Sequence, residues 1–134
     1  MITWDTFESN KGKVNALRNF ARRCAFRTAK QSYSGANFMN SKPGLYQWLN
    51  YGKVSSGKWT DLVHWAEDTV GCLDDWKEGH AEAACCYAIL AMVRSPEDVW
   101  RAAMMAARHA KMLLGKFEEK TQEKSLTQYL GKEL

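Results

Sequence analysis

Residues 81–93 read AEAACCYAILAMV and contain the longest apolar run of the chain. Apolar residues occupy nearly every position, so a helix formed here has no polar stripe to turn towards water. The run is too short to span a bilayer, which needs about 20 apolar residues. A helix that is apolar on all sides lies in the core of a protein. We therefore predict that residues 81–93 form the central, most buried helix of a soluble bundle.

Apolar residues on both sides of this stretch recur at the helical period and predict further, amphipathic helices. The predicted helices are 14–34, ending near Gly35; 43–52, opened by Pro43 and ended by Gly52; 60–77, capped by Thr60; 96–119, opened by Ser95 and Pro96; and a short 125–130. No run alternates in the manner of a strand. The predicted fold is a compact all-α bundle of five or six helices in one domain, residues 1–134.

Composition supports a globular chain in a reducing compartment. The chain has 134 residues, of which 46% are hydrophobic, and this is enough for a real core. Its N-terminus lacks the basic and apolar regions of a signal peptide. We expect the four cysteines to be reduced and the protein to be cytoplasmic, with no membrane partner. The cysteines are Cys24, Cys72, Cys85 and Cys86.

Charge is strongly segregated along the chain. The segment 10–60 contains ten basic residues and no Asp or Glu, whereas the segment 61–82 contains seven acidic residues and one Lys. The formal net charge of +4 hides this division. Such patterning bears on partners and association rather than on fold.

The basic half is also interleaved with aromatic residues, a pattern typical of phosphate contacts combined with base stacking. It predicts a surface that binds nucleic acid or another polyanion, such as an acidic protein surface. The predicted binding residues are Arg18, Arg22, Arg23, Arg27, Lys30, Lys53 and Lys58. Two alternatives stay open: a basic face that is only solvated, and a basic helix neutralised by packing beside the acidic helix 60–77.

The stretch from Gly52 to Lys58 fits the start of a phosphate-binding loop, G-x-x-x-x-G-K, and then departs from it. The next residue should be the Ser or Thr that binds magnesium, and it is Trp59. We interpret the stretch as a turn between two helices. A weaker prediction remains, in which amides at a helix start near Thr60 hold one phosphate together with Lys53 and Lys58.

No constellation of residues predicts catalysis or metal binding. The metal candidates lack C-x-x-C and H-x-x-x-H spacing, and His80, the His nearest to Cys85, is on no shared helical face with it. We expect no catalytic residues, no metal and no cofactor. These candidates are His64, Cys72, His80, Cys85 and Cys86.

The leading functional prediction is therefore a non-enzymatic protein that binds a polyanion. The alternative is a small regulator or inhibitor, for instance one encoded by a phage, that docks on a larger protein or ribonucleoprotein complex. Its contact surface would be the acidic face, imitating nucleic-acid charge. That face comprises Glu67, Asp74, Asp75 and Glu78. The sequence leaves the partner's identity and the oligomeric state open.

Overall fold

The computed structural model describes residues 3–31, 41–71 and 79–132, and the described residues form seven α-helices and no strand. The helices are α1 (Trp4–Ser9), α2 (Val14–Gln31), α3 (Leu45–Tyr51), α4 (Ser56–Val70), α5 (His80–Val93), α6 (Val99–Leu114) and α7 (Lys116–Lys132), with a 3-10 turn at Pro96–Asp98. The predicted all-α bundle is confirmed.

Helix α5 is the centre of the bundle, as its sequence predicts. It packs most extensively against α6, α2 and α4. Ile89 has no exposed surface, and removing such a side chain from water stabilises the fold by about 1.5–3 kcal/mol. The buried positions of α5 are Ala81, Ala83, Ala84, Cys85, Cys86, Ala88, Ile89, Leu90 and Ala91. They surround the helix, so α5 has no single inner face.

Small side chains let α6 approach its neighbours closely. Five alanines of α6 are buried, and α6 packs against both α5 and α2. The distance between two packed helices depends on the side chains at the contact, so alanine favours a short one. These alanines are Ala102, Ala103, Ala106, Ala107 and Ala110.

Helix α2 buries its predicted apolar stripe. Leu17, Ala21 and Cys24 have no exposed surface, while Val14 is half-buried at the helix start. The predicted end of this helix near Gly35 lies outside the described residues.

Two predicted helix starts are wrong. Helix α4 begins at Ser56 rather than at Thr60, and the Thr60 Oγ1 donates a hydrogen bond to the Ser56 carbonyl (3.0 Å) inside the first turn. Helix α3 begins at Leu45 and not at Pro43, because Gly44 in between adopts a left-handed φ of 83°. A Cβ on Gly44 would lie 2.6 Å from the Val54 Cγ2, which only glycine avoids.

The predicted C-terminal end is confirmed for α3 but not for α4. Gly52, with φ of 75°, ends α3 as predicted. Helix α4 ends at Val70, seven residues before the predicted end at position 77, and residues 72–78 lie outside the described part of the chain.

The C-terminal part of the chain also differs from the prediction. Instead of one helix to residue 119 and a short helix 125–130, α6 ends at Leu114 and α7 runs through Lys132. Gly115 separates them with φ of 75° and ψ of −151°, a backbone conformation that is essentially confined to glycine. The sequence therefore places a sharp turn where periodicity alone favoured a continuous helix.

Helix α1 is the additional helix that raises the count to seven. The Thr3 amide donates to the Thr6 Oγ1 (3.3 Å) at its start, and Phe7 packs against Phe20 of α2 with ring centroids 5.8 Å apart. Among the helices of the described residues, none has both the length and the apolar character needed to cross a bilayer.

Candidate polyanion-binding face

The structure assigns internal roles to three of the five basic side chains predicted on α2. The first, Arg18, lies at the C-terminus of α5. Its Nε donates to the Ala91 carbonyl (2.9 Å) and its Nη2 to the Arg94 carbonyl (3.5 Å). The last carbonyls of a helix lack intrahelical partners and carry partial negative charge, so a guanidinium stabilises them.

Arg22 plays the same role one turn later. Its Nη1 donates to the Leu49 carbonyl (2.6 Å) in the last turn of α3, and its guanidinium carbon lies 3.5 Å from the position of a Cβ on Gly52. Burial, with repulsion from Arg23 in second place, lowers the pKa of Arg22. Arginine stays protonated in proteins, so this group remains a cation that joins α2 to α3.

Arg27 forms a two-pronged ion pair with Glu118 of α7. Its Nε donates to the Glu118 Oε1 (2.7 Å) and its Nη2 to the Oε2 (2.9 Å). The Gln122 Nε2 donates to the same carboxylate (2.7 Å) and to the Ala107 carbonyl (2.9 Å). Glu118 is only 1% exposed, so this network fastens α7 to α2 and α6 from within.

The prediction that all five basic side chains of α2 are available to a polyanion is therefore corrected in part. Arg18, Arg22 and Arg27 are occupied by contacts within the chain, whereas Arg23 and Lys30 are exposed. One predicted alternative is that the acidic helix 60–77 neutralises the basic helix. For Arg27 this partner is wrong, because Arg27 binds the Glu118 carboxylate, which belongs to α7.

One of the exposed cations that remain, Lys30, lies beside an aromatic ring of α2 that contacts α3. The Lys30 Nζ lies 5.8 Å from the ring centroid of Phe26, and Phe26 meets Tyr46 edge-on with centroids 6.2 Å apart. Tyr46 is 50% exposed and Tyr51 is 70% exposed. We call this surface the α2–α3 face. It consists of Arg23, Phe26, Lys30, Tyr46, Tyr51 and Lys53.

The predicted pairing of Lys53 and Lys58 around one phosphate stays a prediction. Both are exposed, and the chain turns back between them, because Val54 and the Lys58 stem both lie beside Gly44. Because α4 starts at Ser56, the amides expected near Thr60 are already used inside the helix.

The acidic surface of the alternative hypothesis is described only in part. Glu67 is exposed on α4, as are Asp61 and Asp68. The other three residues predicted for this contact, Asp74, Asp75 and Glu78, lie outside the described residues.

The cysteines that the structure describes are buried free thiols. Cys24, Cys85 and Cys86 all have 0% exposed surface. Burial raises the pKa of each of these thiols above its ordinary value. In the described ranges no three or more His, Cys, Asp or Glu side chains cluster as metal ligands would.

A contact between His80 and His109, which are 29 residues apart, was not indicated by any sequence pattern. Their Nδ1 atoms lie 2.9 Å from each other, and Tyr87 stacks on the His109 ring with centroids 5.7 Å apart. Burial, followed by the charges of His80 and Arg108, lowers the pKa of His109 to about 4. At neutral pH this ring is therefore an uncharged member of the α5–α6 contact.

An apolar groove between α1 and α7 was also missed. It lies over α6 and is walled by Trp4, Phe7, Met104 and Met112. The signal in the sequence was weak, because Trp4 and Phe7 belong to a short helix that periodicity did not reveal.

Comparison of the chain with protein-family models, with curated proteins and with solved structures finds no match in any of the three.

Proposed function

We propose that the protein is a non-enzymatic binding protein that contacts nucleic acid through the α2–α3 face. The observation that carries the proposal is a pair of contacts between α2 and α3. Phe26 lies next to Lys30 and meets the exposed Tyr46 edge-on. Arg22 holds the end of α3, where the exposed Tyr51 and Lys53 lie, against the turn of α2 that carries Arg23. Exposed rings offer stacking surfaces for bases, and the cations offer contacts to phosphates. The segment 10–60 contains no carboxylate that would repel a polyanion from this face.

The combination favours a single strand over a duplex. Bases of a single strand are free to stack on tyrosine, which contributes about 1–3 kcal/mol per base. Both tyrosines lie on α3, a seven-residue helix with no charged side chain, so this helix offers none of the arginine or lysine contacts by which a recognition helix reads base edges in a major groove. Arg18, Arg22 and Arg27 take no part in this proposal, since they stabilise the bundle.

The experiment measures fluorescence anisotropy of a labelled 20-nucleotide dT strand over a salt series. The test variant Arg23→Gln/Lys30→Gln/Lys53→Gln should weaken binding at least tenfold. It should also flatten the log–log salt slope by about 0.7 for each phosphate that the variant no longer neutralises. Tyr51→Ala should weaken binding while leaving the salt slope unchanged, because stacking releases no counterions.

The matched control is Lys116→Gln/Lys120→Gln/Lys124→Gln, which removes three exposed lysines of α7 that lie outside the α2–α3 face. It should bind like the unaltered protein. Equally weakened binding in the control and the test variant would mean that binding follows net charge alone, and the proposed face would be wrong.

A second candidate is the small regulator or inhibitor that docks on a larger protein or ribonucleoprotein complex. The exposed carboxylates Asp61, Glu67 and Asp68 on α4 favour it, because they form an acidic surface of their own. Stoichiometric capture of one protein, abolished by Glu67→Lys and unaffected by Arg23→Gln, would support this candidate. Capture that survives Glu67→Lys would exclude the α4 surface.

A further inference from the structure

The groove between α1 and α7 has the size and lining of a small-molecule site. Its volume is about 480 Å³, within the range of about 300–1,000 Å³ that ligand pockets occupy. Trp4 and Phe7 of α1 form one wall, while Met104 and Met112 of α6 line the floor over two turns. These methionines are eight positions apart, which corresponds to about 12 Å along the helix.

The walls of the groove are fixed by contacts outside it. The Trp4 indole meets the Trp100 ring edge-on, with centroids 5.1 Å apart, and Phe7 is anchored on Phe20. The Gln122 side chain is held in place by the hydrogen bonds that it donates to the Glu118 carboxylate and to the Ala107 carbonyl. The groove is therefore formed before any ligand arrives.

Charge at the groove is positive. Arg108 and Lys111 line it together with one carboxylate, Glu119. The Lys111 Nζ lies 3.3 Å from the Glu119 Oε2, so these two charges offset each other. The exposed Arg108 guanidinium then remains as the uncompensated charge of the lining, at one edge of an apolar surface.

We propose that this groove binds an amphiphilic carboxylate with a single alkyl chain of medium length. The alkyl chain lies along Met104 and Met112 against Trp4, where burial of its methylene groups drives binding. The carboxylate meets Arg108, whose planar guanidinium suits two parallel hydrogen bonds to a carboxylate. A neutral amphiphile lacks the ion pair with Arg108, and a short carboxylate lacks the alkyl contact with the methionines.

The experiment is isothermal titration calorimetry of the full chain with octanoate and decanoate below their micelle concentrations. We expect saturable binding of one ligand per chain. Each added methylene that reaches the groove should tighten binding about fourfold. Octanol should bind at least fivefold more weakly than octanoate, because it leaves Arg108 without an anion.

Two pairs of variants locate the site, and all four change exposed side chains, so circular dichroism should show an unaltered fold. Arg108→Gln should weaken decanoate binding about tenfold, whereas Arg23→Gln on the α2–α3 face should have no effect. Met112→Ser should weaken binding severalfold, whereas Met92→Ser, outside the groove lining, should not. Because Arg23 belongs to the proposed nucleic-acid face, the two proposals fail independently.

Four outcomes would overturn this proposal. The first is the absence of saturable binding below the micelle concentration, and the second is equal binding by the groove variants and their controls. The third is octanol binding as tight as octanoate binding. The fourth is a concentration-dependent dimer, seen by sedimentation and abolished by Met112→Ser, which would assign the groove to a second copy of the chain.

Discussion

Helices α5 and α7 are held in the bundle by opposite kinds of contact. The side chains that α5 buries are alanines, two cysteines, Ile89 and Leu90. On α7 the buried side chains are Glu118, Gln122 and Leu126, spaced four residues apart on one stripe. Much of the α7 attachment is thus polar, and it depends on the guanidinium of Arg27. The inner face of a helix therefore need not be apolar when a charge on a neighbouring helix pairs with its polar side chains.

The largest expected effect comes from removing the carboxylate of α7. Glu118→Ala leaves the Arg27 guanidinium without its partner in a largely desolvated position, and we expect a decrease of about 3–5 kcal/mol in the free energy of unfolding. Urea denaturation measures the decrease. The adjacent Glu119→Ala, which breaks a more exposed pair with Lys111, should cost only about 0–1 kcal/mol.

A double substitution tests whether the ion pair itself stabilises the attachment of α7. Arg27→Met with Glu118→Leu replaces both charges by apolar groups of similar size and should recover most of the stability that Glu118→Ala removes. If the double variant were as unstable as Glu118→Ala, the stability of α7 would depend on more than this ion pair.

The corresponding test on α5 is Ile89→Ala. This change leaves a cavity in the centre of the core, and we expect a loss of about 2–5 kcal/mol in urea denaturation. Met92→Ala, on the same helix but exposed, should stay within about 0.5 kcal/mol of the unaltered protein. Equally small losses for both would mean that Ile89 does not lie in the core.

The connection to α7 gives the next smaller effect. Gly115→Ala forces a side chain onto φ of 75° and ψ of −151°, and we expect a loss of about 1–3 kcal/mol. No neighbouring atom would touch the new methyl group, so the loss measures backbone strain alone. Gly57→Ala, in the first turn of α4, should instead raise the melting temperature, since alanine is the better helix former.

The smallest expected effect is the pH dependence of the α5–α6 contact. The pKa of His109 is lowered to about 4 by burial, by His80 and by Arg108, from an ordinary value of 6.5. Above pH 6.5 the ring is neutral in both states and stability is unaffected. Between pH 6.5 and 4 only the unfolded chain takes up the proton, so stability falls as the pH falls.

Because the ring is partly exposed, we expect only about 1 kcal/mol of loss between pH 7 and pH 5. Urea denaturation at the two pH values measures it. His109→Gln should remove the dependence, and His64→Gln, at an exposed position of α4, should retain it. Identical pH profiles for the two variants would assign the dependence to another group.

The fold was largely predictable because α5 and α2 obey simple rules of burial. An all-apolar run and an apolar stripe with the helical period each admit one arrangement in a helical bundle. Helix α7 escaped prediction because two of its three buried positions are Glu118 and Gln122, residue types that are typical of a surface. Helix α1 escaped because six residues give too short a window for a period to appear.

The candidate site was less predictable, since the composition of a helix does not reveal which of its charges reach solvent. Arg18, Arg22 and Arg27 resemble Arg23 in sequence, yet the first three meet carbonyls or a carboxylate of distant segments. Those partners are 27 to 91 residues away along the chain. Only the three-dimensional arrangement separates the arginines that build the protein from those that remain for a partner.

The buried thiols also allow local opening of the bundle to be measured without any added label site. A cysteine reacts with alkylating reagents as the thiolate, and Cys24, Cys85 and Cys86 combine full burial with a raised pKa. Each therefore becomes reactive only when the segments covering it separate, and its alkylation rate follows the population of that opened form. Cys24 lies on α2, and Cys85 and Cys86 lie on α5. Mass spectrometry of the alkylated peptides would compare the alkylation rates of the two helices. Different rates would indicate that one helix separates alone, and equal rates would indicate that the bundle opens as a whole.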